Sequence, residues 1–161
     1  MAPLQIVIEV KKQILSVFKR DLLLFQYPIS TAALGVGEEF GSFQTPRGWH
    51  IIRAKIGAKE PIYSIFQKRR TTGYVYSQEI ANLFPNCDWI LSRILWLSGL
   101  EKGRNRLGKC DTMRRYIYIH GTHDESGIGE PKSRGCIRMC NQDIISLFDH
   151  VDVGTRVLIN E

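Results

Sequence analysis

No apolar run in this sequence approaches the length a helix needs to cross a bilayer. Stretches such as Leu22-Leu23-Leu24-Phe25 stop far short of it. Internal repeats, low-complexity tracts and Pro/Gly/Ser-rich linkers are also missing. That leaves one domain over residues 1–161, long enough to bury a core of its own. Met1-Ala2-Pro3-Leu4 has neither the basic start nor the long apolar stretch of a secretory signal, and it leads straight into a strand. Cysteine is sparse: Cys87, Cys110, Cys136 and Cys140. An even count permits disulfides without requiring them, and a domain of this size needs no staples, so free thiols are expected.

Acidic residues are outnumbered, with 22 Lys+Arg against 16 Asp+Glu and a net charge of +6. Lys102, Arg104, Arg106, Lys109, Arg114 and Arg115 cluster around a single acid, Asp111. Such a patch favours an anionic partner, whether nucleic acid, a membrane surface or a carboxylate-rich polymer. The competing reading is a solvated basic loop.

The hydrophobic pattern is mainly that of strands. Ile6, Ile8 and Val10 alternate with Gln5, Val7 and Glu9. Strands are expected over 13–18 and 22–27, joined by a turn at Lys19-Arg20-Asp21, and again over 49–56, 90–97, 115–119 and 156–159. The segment 30–48 is glycine-rich loop, with Thr45-Pro46-Arg47-Gly48 as a turn, and 99–108 reads as exposed basic loop. A short helix is expected over 76–84. A second helix is capped by Asn141, buries Ile144, Leu147, Phe148 and Val151 at helical spacing, and stops at Gly154. The fold class is mainly β with a few short helices.

Chemistry concentrates between Tyr116 and Arg138. His120 ends an apolar strand, and sixteen residues later Cys136 follows Gly135 in a polar turn. A nucleophilic cysteine needs its thiolate, and Arg134 and Arg138 on either side are expected to lower its pKa. Gly135 lets the backbone approach a substrate, and the amides of Gly135 and Cys136 are placed to meet a developing oxyanion. His120 is the natural base, with the Gly121 carbonyl holding its other ring nitrogen. On spacing alone, though, cysteine–histidine pairs arise often by chance.

The sharpest competitor is zinc. His120 and His123 are spaced H-x2-H, Cys136 and Cys140 C-x3-C, with twelve residues between the pairs. Two nitrogens and two sulfurs satisfy a tetrahedral site, and with the basic patch this suggests a nucleic-acid-binding module. Zinc fingers usually put the cysteines first, and arginines around a ligand oppose a cation. Elsewhere, His50 beside Trp49 reads as structural, His150 as meeting a helix C-terminus, and Trp89 and Trp96 as core. Tyr116 and Tyr118 should share the face of His120, lining a cleft or packing in the core. Cys87 and Cys110 have no informative context.

At I-H-G-T-H-D-E-S-G-I-G-E-P-K-S-R-G-C-I-R-M the chain resembles the L,D-transpeptidase catalytic domain, the YkuD family. The family's signature is a histidine followed by a glycine, then a loop, then Ser-His-Gly-Cys with an arginine or asparagine two residues on. T-P-R-G resembles the family's T-P-x-G strand start, and R-I-L-W-L-S-G-L-E-K-G-R-N the segment before the histidine strand in one bacterial branch. The helix from Asn141 and the ending V-D-V-G-T-R-V-L-I also fit, so the resemblance covers nearly the whole chain.

The resemblance implies a β-sandwich or mixed sheet, with Cys136 as acyl-accepting nucleophile and His120 as general base. It makes the Gly121 carbonyl the imidazole's anchor, the Gly135 and Cys136 amides the oxyanion hole, and Arg138 a support for the loop or the substrate. Ser133, Arg134 and Tyr118 are further substrate-binding candidates. The implied substrate is a peptidoglycan stem peptide. The thiolate attacks the third residue, usually meso-diaminopimelate, D-alanine leaves, and a second stem's amine resolves the thioester into a 3→3 cross-link. A protein lysine or water (an L,D-carboxypeptidase) are alternative acceptors. No metal or cofactor, no nucleic acid and no membrane insertion are implied, and a monomer is expected. Family members meet their substrate in the periplasm or cell wall and are targets of carbapenems. One departure is clear: the histidine before Gly-Cys is Arg134 here, which cannot carry a proton at neutral pH.

Overall fold

The computed structural model describes residues 2–161. Period-two alternation sets β1 (Leu4–Glu9), in which Ile6 and Ile8 are buried. It pairs with β2 (Ile14–Lys19), which turns back into β3 (Leu22–Ser30). After the glycine-rich loop come β4 (Gly48–Ile56), the hairpin β5 (Ser64–Gln67) and β6 (Arg70–Val75), and α1 (Gln78–Leu83). The long β7 (Ile90–Gly99), β8 (Tyr118–Gly121), β9 (Ile137–Met139), α2 (Asn141–His150) and β10 (Arg156–Asn160) complete the chain.

The sheet runs β4-β10-β1-β2-β3-β9-β8-β7, and β7 pairs back onto β4, so eight strands close on themselves. The β5–β6 hairpin hangs from β7 through Ile65 opposite Leu91. Pairs β1–β10 and β8–β9 are parallel, the rest antiparallel, giving the expected mixed sheet. Inward residues such as Ile8, Val17, Ile29, Leu95, Ile119 and Ile137 form the core, joined by Ile144, Leu147 and Phe148 of α2. Each fully buried aliphatic side chain contributes roughly 1.5–3 kcal/mol. The opposite face of β7, β8 and β9 is the one that matters chemically. There Ile94 lies across from His120, Trp96 from Tyr118, and His120 from Arg138.

Several expectations shift. The strand expected from Arg115 starts at Tyr118. The Arg115 amide closes a turn onto the Asp111 carbonyl, and Tyr116 has φ 55°. β3 continues through Pro28, because its pairing with β9 begins only at Ile29 and the ladder needs no N–H before that. Asn141 does not cap α2; Cys140 holds that position. The Asn141 side chain is fully buried, accepting from Ser92 Oγ (2.6 Å) and donating to Thr122 O (2.7 Å), so it ties the helix start to the sheet. The basic loop 99–108 is exposed at Lys102, Arg104 and Arg106, but Asn105 is buried. Its Nδ2 donates to the carbonyls of Arg47 and Trp49. Glu101 accepts the Trp49 amide at 2.7 Å, so the loop is pinned to the T-P-R-G turn. Gly48 has φ +97°, and a Cβ there would lie 2.1 Å from Glu101 Oε2, so only glycine fits.

Candidate active site

Cys136 stands one residue before β9, and the parallel pairing of β9 with β8 places it beside Tyr118 on the face that carries His120. Its Sγ accepts the Tyr118 amide (3.3 Å) and donates to the Tyr116 carbonyl (3.4 Å). His120 is 1% exposed. Its Nδ1 lies 2.6 Å from the Gly121 carbonyl, which can only accept, so Nδ1 carries the proton and the Nε2 lone pair is left to act as a base. Among the described residues no hydrogen bond joins the His120 and Cys136 side chains.

Burial dominates the electrostatics of both groups. It lowers the pKa of His120 below its ordinary value, against the Gly121 hydrogen bond and the Asp88 charge, which raise it. It pushes the Cys136 thiol up to about 12, although the Tyr118 amide, Arg138 and Arg115 pull the other way. Arg138 does pull this pKa down as expected, but burial outweighs it, and Arg134 has no part in it. Arg138 is bound to the Asp88 carboxylate at 2.7 Å, so its charge is largely answered, and Arg134 is exposed. At neutral pH both shifts favour the uncharged thiol and the uncharged imidazole. A raised pKa means less thiolate at a given pH. Iodoacetamide should accordingly modify Cys136 at pH 8 roughly tenfold or more slowly than an ordinary thiol, with the rate still climbing above pH 10. Peptide-level mass spectrometry reads this directly; fast labelling with a plateau below pH 7 would instead reveal a resting thiolate–imidazolium pair.

The turn that carries Cys136 is held from several sides. Ser133 Oγ donates to the Cys136 carbonyl (2.5 Å) and accepts the Gly135 amide (3.1 Å). The Gly135 N–H expected to face an oxyanion is thus engaged in this conformation. Ser133, a substrate-binding candidate, is buried, and its hydroxyl holds the loop. Thr45 Oγ1 donates to the Gly135 carbonyl (3.0 Å) and accepts the Ala32 amide (3.0 Å), so T-P-R-G reaches the loop before Cys136. Gly135 has φ +132°, with Gln44 O and Ile117 Cδ1 each 3.2 Å from where a Cβ would be. Arg115, assigned by its neighbours to the exposed basic patch, turns inward to the carbonyls of Gly37 and Gln44 and to Ser42 Oγ.

Tyr118 is 4% exposed; its ring meets Trp96 edge-on, and its hydroxyl accepts from Arg69 Nη1 at 3.1 Å. Trp96, expected in the core, is only partly buried and carries arginine guanidinium groups on its ring. Trp89 is buried, as expected, in a satellite cluster under α1. His50 is fully buried between Gly48 O and Thr112 Oγ1, with burial lowering its pKa to about 4, and it serves structure. His150 caps the last turn of α2 at the Ser146 carbonyl, 2.7 Å away. The four zinc candidates are not brought together: exposed His123 packs on Tyr76, and Cys140 sits at the start of α2. Among the described residues no three His, Cys, Asp or Glu side chains converge on a metal-sized site.

Sequence reasoning missed Asp88, Arg115 and Arg69. All three come from loops or the hairpin turn, and no local pattern links them to Cys136. Thr45 alone carried a signal, in T-P-R-G.

A family model described as the L,D-transpeptidase catalytic domain matches residues 3–159. "Probable L,D-transpeptidase ErfK/SrfK" of Salmonella typhimurium is 60% identical over 45 residues, 28% of this chain and 15% of that protein. "Probable L,D-transpeptidase YbiS" of Escherichia coli is 54% identical over 43 residues, 27% of this chain and 14% of that protein. The matched stretch is thus a small part of these relatives. Among solved structures, L,D-transpeptidase from Mycobacterium smegmatis superposes with a TM-score of 0.59 at 18% identity, covering 99% of this chain and 59% of that one. L,D-transpeptidase 3 from Mycobacterium tuberculosis, in complex with a faropenem-derived adduct, gives 0.61 at 14% identity, covering 98% and 60%. At these identities the structures establish the fold alone.

Proposed function

The chain belongs to the family of L,D-transpeptidase catalytic domains, and on that premise we propose that it transfers peptidoglycan stem peptides through a Cys136 thioester. The observation that carries the reading is the setting of Cys136 Sγ. It lies between the Tyr118 amide and the Tyr116 carbonyl, on the face where His120 has Nδ1 committed and Nε2 left over.

The chemistry follows from those protonation states. As a donor peptide binds, His120 Nε2 takes the Sγ proton while sulfur attacks the carbonyl carbon of the third stem residue. Deprotonation is coupled to attack, because neither ion is stable in the empty site. Charge on the tetrahedral oxygen falls to the backbone amide of Cys136, with Gly135 N–H joining if Ser133 Oγ releases it. The C–N bond to D-alanine breaks, and the imidazolium proton goes to the departing amine. An acceptor amine then attacks the thioester, giving its proton to His120, and the cysteine sulfur leaves and takes that proton back, restoring thiol and imidazole. An amine from a second stem yields the 3→3 cross-link; water yields hydrolysis and an L,D-carboxypeptidase. Thr45, Ser133 and Gly121 position these groups, and Arg138, fixed by Asp88, stands beside His120.

Arg134, where the family signature has histidine, makes no hydrogen bond or ion pair among the described residues and is exposed. In this mechanism it moves no proton. Arg134→His should keep acylation by a tetrapeptide donor within about fivefold of the parent, since the proton path runs through His120; loss beyond about a hundredfold would assign Arg134 a role that imidazole cannot fill. Mass spectrometry of products from the parent and a tetrapeptide donor tests the function. A cross-linked dimer with free D-alanine supports transpeptidation, a tripeptide supports hydrolysis, and an unchanged donor contradicts both.

A further inference from the structure

The two residues that hold the sulfur also hold an arginine. Tyr116 offers its carbonyl and Tyr118 its amide to Cys136 Sγ, and both turn their rings or hydroxyls to Arg69. Arg69 lies at the tip of the β5–β6 hairpin with φ 64°, and its neighbour Lys68 has φ 48°. Both are left-handed positions normally given to glycine or asparagine, and here they aim the side chain at the site. The Arg69 guanidinium sits 4.6 Å from the Tyr116 ring centroid and 5.0 Å from that of Trp96, and Nη1 donates to Tyr118 Oη.

A second cation shares the same indole. Arg53 lies 5.5 Å from the Trp96 centroid. It is the extra residue of a β-bulge, since Ile52 pairs with Leu97 and Ala54 with Trp96. Bulges re-aim side chains and recur next to functional sites. Arg138, Arg47 and Arg104 are paired with Asp88, Glu38 and Glu101, and Arg115 is satisfied by the Gly37 and Gln44 carbonyls. Among the described residues neither Arg53 nor Arg69 forms an ion pair. Both guanidinium groups thus face one indole with no acidic side chain bound to either, and a planar fork suits a carboxylate.

We propose that Arg69, with Arg53 on Trp96, forms a carboxylate-binding subsite that orients the acyl donor over Cys136. The proposal rests on the stem-peptide reading for its natural ligand. Stem donors present a side-chain carboxylate at the third residue and a terminal carboxylate on D-alanine. Either supplies the missing charge, and the hairpin brings the arginine to it.

The test uses the full chain with Cys136→Ala, so that binding is read without turnover, and measures Kd by chemical-shift titration. The probes are a tetrapeptide donor, the same donor amidated at the side-chain carboxyl or at the terminal carboxyl, and N-acetyl-D-alanine with its amide. Arg69→Ala and Arg69→Lys should each weaken binding of the free-acid donor, the alanine variant by about tenfold or more. Amidation of the carboxylate that binds should cost the Arg69 parent the same factor and the Arg69→Ala variant nothing. Equal affinity of Arg69→Ala and its parent, or equal losses for free-acid and amidated donors, would overturn the subsite and leave Arg69 a structural clamp on the hairpin. A parent that binds N-acetyl-D-alanine through Arg69 but no stem peptide would keep the subsite and refute the stem-peptide reading.

Discussion

Replacing Cys136 with alanine is expected to remove covalent acylation entirely and to cut turnover of a tetrapeptide donor on the order of 10⁶-fold, the scale on which loss of a catalytic nucleophile acts. Four cysteines are present, so the assignment is not trivial. Cys87 is exposed and its pKa is raised by burial and by Asp88; Cys140 is also raised, by burial and by Asp143 and Glu125. Neither has a histidine with a free ring nitrogen placed by a strand. In the proposed mechanism Cys136 reacts by proton transfer to His120 in the bound complex, in keeping with a resting thiol whose pKa burial pushes up to about 12. Intact-mass measurement with a carbapenem and with a tetrapeptide donor reads both. The substitution removes one sulfur from a partly exposed position, so the fold should survive and circular dichroism should be unchanged. A persistent adduct on the Cys136→Ala protein would place the nucleophile elsewhere.

The second large effect is that of His120→Gln. Glutamine is similar in reach and can still donate to the Gly121 carbonyl that now receives Nδ1–H at 2.6 Å, but it cannot accept a proton. The acylation rate should fall about 10²- to 10⁴-fold, the usual contribution of a general base. The pH profile should change shape as well. In the parent, burial lowers the pKa of His120, so the base stays neutral and competent through neutral pH and is lost only as the pH falls through that lowered value. In His120→Gln no such limb remains, and hydroxide must generate the thiolate. The rate should then rise with pH throughout, towards the elevated thiol pKa. Stopped-flow acylation between pH 5 and about 10 distinguishes the two shapes. A variant that kept the parent's acid limb would show that the base is another group.

Much of this was legible in the sequence, for physical reasons that differ by residue. A strand end and a Gly-Cys turn marked His120 and Cys136 as candidates, the resemblance to the family signature paired them, and the strand and helix patterns around them follow from periods of two and 3.6 residues. The environment of the pair was not legible. Arg134 and Arg138 flank Cys136 in sequence, but Asp88, fifty residues from Arg138, answers the charge of one, and solvent surrounds the other. Desolvation, which decides the thiol's pKa, has no sequence signature. Arg115 shows the same failure: grouped with its basic neighbours, it turns inward because the carbonyls of Gly37 and Gln44 are waiting for it. Asn141 reads as a cap by its residue type, yet tertiary contacts with Ser92 and Thr122 claim its side chain. The Lys68-Arg69 turn escaped notice because it lacks the glycine or asparagine its backbone favours.

The proposed reaction requires a thioester at one sulfur. Incubating the parent protein with a tetrapeptide donor lacking an amine acceptor, quenching in acid and mapping the adduct by tandem mass spectrometry tests it directly. The expected result is a tripeptidyl group on the peptide that contains Cys136, with one D-alanine released per protein. No D-alanine release and no adduct, or an adduct on Cys87, Cys110 or Cys140 instead, would contradict the proposed function.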